Sequence, residues 1–165
     1  MQQRRRAREA ALKVLYAIDV LNIDVREAMD LCWQSFMSPD EDSEGVALSK
    51  ESREFSAQLV EGSWERRDDI DHLISLCSEH WSISRMSRVD KCILRMAVFE
   101  LLYCPNIPPK VTLNEAIDLG KTYGSENSGS FINGILDALY LKYCDNQVPP
   151  EVSRINEHEI SSENH

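Results

Sequence analysis

The sequence predicts an all-α protein, and three observations carry that expectation. Apolar residues recur at three- and four-residue steps through most of the chain. No segment alternates apolar and polar residues with the period of two that marks a half-buried strand. Only six glycines and six prolines occur in 165 residues, so long helices can form between few breaks. No internal repeat is visible.

The first helix is predicted from about Arg4 to Leu21. Ala7, Ala10, Ala11, Val14, Leu15, Ile18 and Leu21 form its apolar face, with Tyr16 and Val20 near its far end. The second starts at Asp24, where Asp24-x-x-Glu27 has capping-box spacing. It continues through Val25, Ala28, Met29, Cys32, Trp33 and Phe36. Residues 38–51 break the pattern with Pro39, Gly45 and the run Asp40, Glu41, Asp42, Glu44, which reads as an exposed acidic loop. Its carboxylates lack EF-hand spacing, so no metal is expected there.

Helix three covers about Lys50 to Arg66, with Phe55, Leu59, Val60 and Trp64 inward. Helix four covers about Asp68 to His80, with Ile70, Leu73, Ile74 and Cys77. Helix five is the most hydrophobic, from Val89 through Ile93, Leu94, Met96, Ala97 and Val98 to Leu102, and reads as the buried centre. Ser87-x-x-Asp90 can cap it. The segment from Cys104 to Pro109 holds three prolines and cannot continue a helix. Helix six is expected to open at Thr112-x-x-Glu115 and run to Tyr123. After a Ser/Gly/Asn loop at 124–129, helix seven runs from Ser128 to Tyr143, with Phe131, Ile132, Ile135, Leu136 and Leu139. Residues 145–165 read as a disordered acidic tail. The expectation is a single domain over 1–144, with halves at about 1–80 and 81–144.

Charge is unevenly spread. The net charge is −10, yet residues 1–13 hold Arg4, Arg5, Arg6, Arg8 and Lys13 against Glu9, a local +4 that leaves −14 elsewhere. Cations at a helix N-terminus oppose the macrodipole by a few tenths of a kcal/mol each. An anion seated against this end, with nucleic-acid phosphate the leading candidate, would explain the arrangement. An ordinary frayed basic terminus is the alternative.

Enzyme signatures fail. There is no P-loop, G-x-S-x-G or H-E-x-x-H, and no G-x-G-x-x-G after a strand. His72 and His80 are too far apart on one helix to share a metal, and no cofactor is implied. Cys32, Cys77, Cys92, Cys104 and Cys144 form no C-x-x-C and read as reduced core thiols. No apolar run approaches membrane-spanning length, and a cytoplasmic protein without a membrane role is expected. The loop at 124–130 leads into a helix N-terminus that could bind phosphate, or is simply a flexible loop with a Ser cap. Arg95, inside the apolar helix five, needs a carboxylate, and Glu115 or Glu100 could supply it in a structural ion pair. Tyr16 and Phe131 read as core aromatics from the pattern alone.

Taken together, several blocks resemble the NusB family of bacterial transcription antitermination factors. They are Arg4-Arg5-Arg6-Ala7-Arg8-Glu9-Ala10-Ala11 with Leu15-Tyr16, then the stretch from Val89 to Leu101. Next come Pro109 to Ile117, Lys121-Thr122-Tyr123-Gly124, and Phe131-Ile132-Asn133-Gly134-Ile135-Leu136-Asp137. In order they span residues 4 to about 141.

The resemblance implies an all-helical, non-catalytic RNA-binding adaptor of two small bundles packed across each other. It implies binding of boxA-type RNA together with NusE, a small-subunit ribosomal protein, on RNA polymerase during ribosomal RNA transcription. It places Arg4, Arg5, Arg6, Arg8, Lys110, Asn127 and Phe131 on the RNA side. It places Tyr16, Val20 and Asp90 toward NusE. Asn127 stands where several members carry Asp, which would reduce repulsion of RNA. Both monomers and homodimers fit the family. Two other readings fit the residues: an RNA-binding partner of an rRNA methyltransferase, since a NusB-like domain occurs fused to such an enzyme, and a protein scaffold without an RNA role.

Overall fold

The computed structural model describes residues 2–37, 48–78 and 86–144. The acidic run at 40–44, His80 and the tail from 145 lie outside the described residues. Seven helices and no strand occur among the described residues: α1 (Gln2–Leu21), α2 (Val25–Met37), α3 (Lys50–Glu65), α4 (Arg67–Cys77), α5 (Arg88–Tyr103), α6 (Pro109–Tyr123) and α7 (Ser128–Tyr143). None is long and apolar enough to cross a membrane.

The apolar face of α1 forms as its spacing dictates. Ala7, Ala10, Ala11, Val14, Leu15 and Ile18 are all buried. Three alanines on that face let α1 pack closely against α2, α3 and α5. Leu21, expected on the same face, is exposed. The helix stops there because Asn22 takes a left-handed conformation, φ 53°, while its N–H donates to the Ile18 carbonyl at 3.0 Å. Asparagine tolerates that region better than most residues and can end a helix as glycine does.

Other boundaries also follow local chemistry. The Asp24 carboxylate accepts from the N–H groups of Arg26 and Glu27, at 2.8 and 3.1 Å, and starts α2. Ser49, a cap the sequence reading did not single out, does the same for Ser52 at the start of α3. Ser87 caps α5 through the Asp90 N–H at 3.1 Å, as expected. Helix α4 ends at Cys77, short of the predicted His80, where the Ser78 N–H turns back to the Ser75 carbonyl.

Helix α6 corrects an expectation. It opens at Pro109, not at Thr112. Proline fits the first helical position because its missing N–H would be unpaired there in any case. Thr112 is therefore inside the helix, and its hydroxyl donates to the buried Glu100 carboxylate at 2.8 Å instead of capping.

Helix α5 is the hub, packing against α1, α3, α4, α6 and α7. Ile93, Leu94, Met96 and Val98 are buried within it. Gly62 on α3 allows the closest approach, since a Cβ there would overlap the Phe99 ring.

Arg95 is a structural ion-pair residue, but its partner is neither Glu115 nor Glu100. Its guanidinium forks onto Asp71 of α4 with bonds of 2.7 and 2.6 Å. Burial works against the cation, yet the Asp71 hydrogen bonds and charge outweigh it and raise the Arg95 pKa. The side of α5 bearing residue 95 faces α4. Glu100 and Glu115 are engaged by arginines of α1.

Candidate nucleic-acid interface

The four N-terminal arginines occupy different environments because a helix turns about 100° per residue. Arg8 lies in phase with Ala11 and Leu15 and points inward. It is 3% exposed, and its guanidinium forks onto the Glu100 carboxylate with bonds of 3.0 and 2.5 Å. Thr112 adds a third hydrogen bond to the same carboxylate. The structure places Arg8, expected on the RNA side, in a closed, buried knot joining α1, α5 and α6. Burying a charge requires such pairing.

Arg4, Arg5 and Arg6 remain nearer the surface. The Arg4 guanidinium carbon sits 4.4 Å from the Phe55 ring centroid, a cation–π contact at an exposed side chain. Arg5 reaches across to α6, where it donates to Glu115 at 3.1 and 3.3 Å and to Asp118 at 2.8 Å. Its side chain is still 50% exposed. The Glu115 hydrogen bond and charge raise its pKa against a small burial cost. Arg6 is half-buried.

Arg4 and Arg8 also line a cleft of about 330 Å³ with Asn106, Ile107, Pro108, Val111 and Glu115. Lys110 is exposed in the adjoining first turn of α6.

The other predicted half begins where α6 ends. Ser128 accepts the Ser125 N–H at 2.8 Å and folds the loop tightly onto the start of α7. Gly124 is required here, because a Cβ would collide with the Ser128 side chain. Asn127 is exposed, and its side chain makes no cap hydrogen bond. Phe131 is half-buried, with one part of its ring packed on the core.

Helix α6 connects the two halves. Its middle, at Glu115 and Asp118, holds Arg5, and its end leads into the loop before α7. Asp118 and Gly124 are six residues apart, about 9 Å along a helix axis. Glu9, one turn beyond Arg5 on α1, is near enough to help raise the Tyr123 pKa, after burial. Arg5 is thus tied to the middle of α6, and the end of α6 leads into the loop that carries Asn127 and the first turn of α7 that carries Phe131.

Tyr16 and Val20 lie elsewhere on α1, one turn apart, at 42% and 41% exposure. Neither is a core residue. Tyr16, Leu12, Lys13, Val89 and Tyr123 line a largely apolar hollow of about 210 Å³. Asp90 is next to that hollow in sequence but only 8% exposed, so it lies beneath the surface and not on it. No group of three or more His, Cys, Asp or Glu residues suited to a metal occurs among the described residues.

The sequence offered Glu100 to Arg95, whereas it holds Arg8, and it gave no indication of Asp71, Asp118 or Phe55 as partners of the arginines. Glu100 did leave a signal, an acid in the middle of the most apolar helix. Asp118 and Phe55 left none, since an acid on an amphipathic helix and an apolar residue on another are ordinary.

The profile of the NusB family matches residues 5–141. The chain belongs to the NusB family. The transcription antitermination protein NusB of Syntrophus aciditrophicus is 60% identical over 142 residues, which cover 86% of this chain and 82% of that one. A crystal structure of T. maritima NusB is similar with a TM-score of 0.74 at 36% identity, covering 87% of this chain and 94% of that chain. A chain in the crystal structure of antitermination factors NusB and NusE in complex with dsRNA is similar with a TM-score of 0.73 at 29% identity. That match covers 87% of this chain and 99% of that chain. The all-helical architecture is therefore that of NusB proteins, and the arginine-rich start of α1 lies at the edge of the matched region.

Proposed function

We propose that this NusB-family chain is a transcription antitermination factor. It binds boxA-type single-stranded RNA together with NusE and acts on RNA polymerase during ribosomal RNA transcription. It does so as a non-catalytic adaptor in the cytoplasm. The observation that supports the reading is that Arg5 of α1 is held by Glu115 and Asp118 of α6, the helix that packs on α7 and leads into the loop before it.

On this reading Arg4, Arg5, Arg6 and Lys110 hold phosphates. Arginine suits this because its planar fork matches phosphate and stacks on unpaired bases. Phe131 offers a base a stacking surface worth about 1–3 kcal/mol. Asn127 adds a neutral polar group where a carboxylate would repel the strand. Arg8 acts through the knot with Glu100, holding the start of α1 at the angle that presents Arg4 and Arg5. Tyr16 and Val20, with the hollow beside Tyr16, receive an apolar segment of NusE. The two helical halves, about 1–80 and 81–144, meet along α5. The chain works as a monomer or a homodimer.

RNA titration tests the reading. Arg4, Arg5 and Arg6 changed together to Ala should weaken RNA binding while helical content stays constant. With about four phosphate contacts, log K should fall with log salt at a slope near −3. NusE should strengthen RNA binding by the wild-type chain, and Val20→Asp should remove that enhancement without altering binding to RNA alone. A triple variant that binds RNA as the wild type does would sink the arginine patch, and a wild-type chain that binds no RNA would leave only a protein scaffold.

A further inference from the structure

Two carboxylates lie in the path proposed for the RNA. Glu115 and Asp118 belong to the surface of α6, between the arginines and the α7 loop, where an approaching phosphate would be repelled. Both are held by one residue, Arg5. The guanidinium donates twice to Glu115 and once to Asp118, so three of its five N–H donors face carboxylates and not solvent. The cluster carries one positive and two negative charges.

We propose that Glu115 and Asp118 form an intramolecular gate on Arg5, in which two carboxylates compete with RNA phosphate for the same guanidinium. This inference rests on the RNA reading above. The exchange is physically accessible. Arg5 is 50% exposed and Asp118 equally so, while Glu115 is 17% exposed. Ion pairs at such sites are weak and screened by salt. Phosphate and carboxylate use the same bidentate geometry, so Arg5 can pass from one to the other by a change of side-chain rotamers.

The buried knot one turn further along cannot do this. Arg8 and Glu100 are only 3% and 2% exposed, and α1 stays fixed on α5 while Arg5 turns over. The free protein thus holds a half-exposed guanidinium in an internal pair. RNA gains Arg5 only by displacing that pair, which lowers affinity and flattens the salt response relative to the number of phosphates contacted.

The test compares wild type, Glu115→Gln/Asp118→Asn, Arg5→Ala and the combined triple variant, using a single-stranded boxA-type oligonucleotide over a range of salt. Removing both carboxylates should raise affinity about tenfold, the scale of one charge-assisted contact. The salt slope should steepen by about 0.7, because the Arg5 phosphate contact is then no longer offset by breaking an internal ion pair. In the Arg5→Ala background the same two substitutions should leave the slope unchanged. Asp118→Asn alone, at a half-exposed position, should give an intermediate gain and guards against loss of folding in the double variant.

Unchanged or weakened RNA binding in Glu115→Gln/Asp118→Asn, with native helical content, would overturn the gate. So would a slope that steepens equally without Arg5. An Arg4→Ala/Arg6→Ala variant separates the two levels. If it binds RNA like the wild type, the RNA face itself is wrong and the gate falls with it. If it loses affinity while the carboxylate variants do nothing, only the gate is wrong.

Discussion

Two arginines three residues apart on α1 make the same kind of pair and live in opposite environments. Arg8 forks onto Glu100 in the core, and Arg5 forks onto Glu115 with Asp118 in water. The geometries are similar, but the consequences differ because dielectric and competition differ. In the core no water or phosphate can replace either partner, so the pair fixes where α1 sits. At the surface both partners exchange readily, so the pair adds little stability and governs what else Arg5 can hold. Geometry alone does not separate a structural arginine from a functional one. Accessibility does.

The largest expected effect comes from breaking the buried pair. Arg8→Met strands the Glu100 carboxylate and should cost about 3–5 kcal/mol in chemical denaturation. Arg8→Met combined with Glu100→Met should recover most of that loss, because no unpaired charge remains. If the single and double variants lose the same amount, the pair is not what stabilises this junction.

The second effect reads the same region through pH. Cys104 sits near the knot, and burial first, then the Glu100 charge, push its thiol up to about 11. Burial also pushes Cys92 up to about 11. Both start from an ordinary value of 9.0. Below pH 9 these thiols stay protonated in folded and unfolded chains alike. Between pH 9 and 11 the unfolded chain ionises first, so stability should fall, by about 2 kcal/mol per thiol in total. Replacing both by Ser should flatten the alkaline limb of a stability–pH curve, and an unaltered limb would show that other groups set it.

A smaller loss, about 1 kcal/mol, is expected for Thr112→Val, which removes one of three hydrogen bonds to Glu100. At the surface, Arg5→Ala should change stability by no more than about 0.5–1 kcal/mol, measured in the same denaturation series. A loss as large as that of Arg8→Met would erase the contrast between the two sites.

Much of the fold was legible in the sequence, because helical spacing and a few caps dictate it. The face from Ala7 to Ile18, the hub around Leu94 and the caps at Asp24 and Ser87 all followed local rules. What was not legible depends on which surfaces meet. Arg95 needed a carboxylate, but the chain offers many, and only packing of α4 on α5 selects Asp71. Pro109 read as a break, although the same ring is well suited to begin a helix. The candidate site was half legible. The arginine run stood out, yet its division into buried Arg8 and exposed Arg4 and Arg5 follows from helical phase. Arg8 falls in step with Ala11 and Leu15, and Glu100 falls among buried neighbours on α5. Two opposite charges at core phases on two helices are a signal that a pair is buried between them.

The central claim is that the start of α1 and the start of α7 form one RNA face joined by α6. Backbone amide chemical-shift mapping during titration with a single-stranded boxA-type oligonucleotide tests it most directly. The account predicts concerted perturbation of the first turns of α1, the exposed side of α6 and residues 124–131, with α4 unaffected. Perturbation confined to one end, or centred on Tyr16 and Val20, would contradict it.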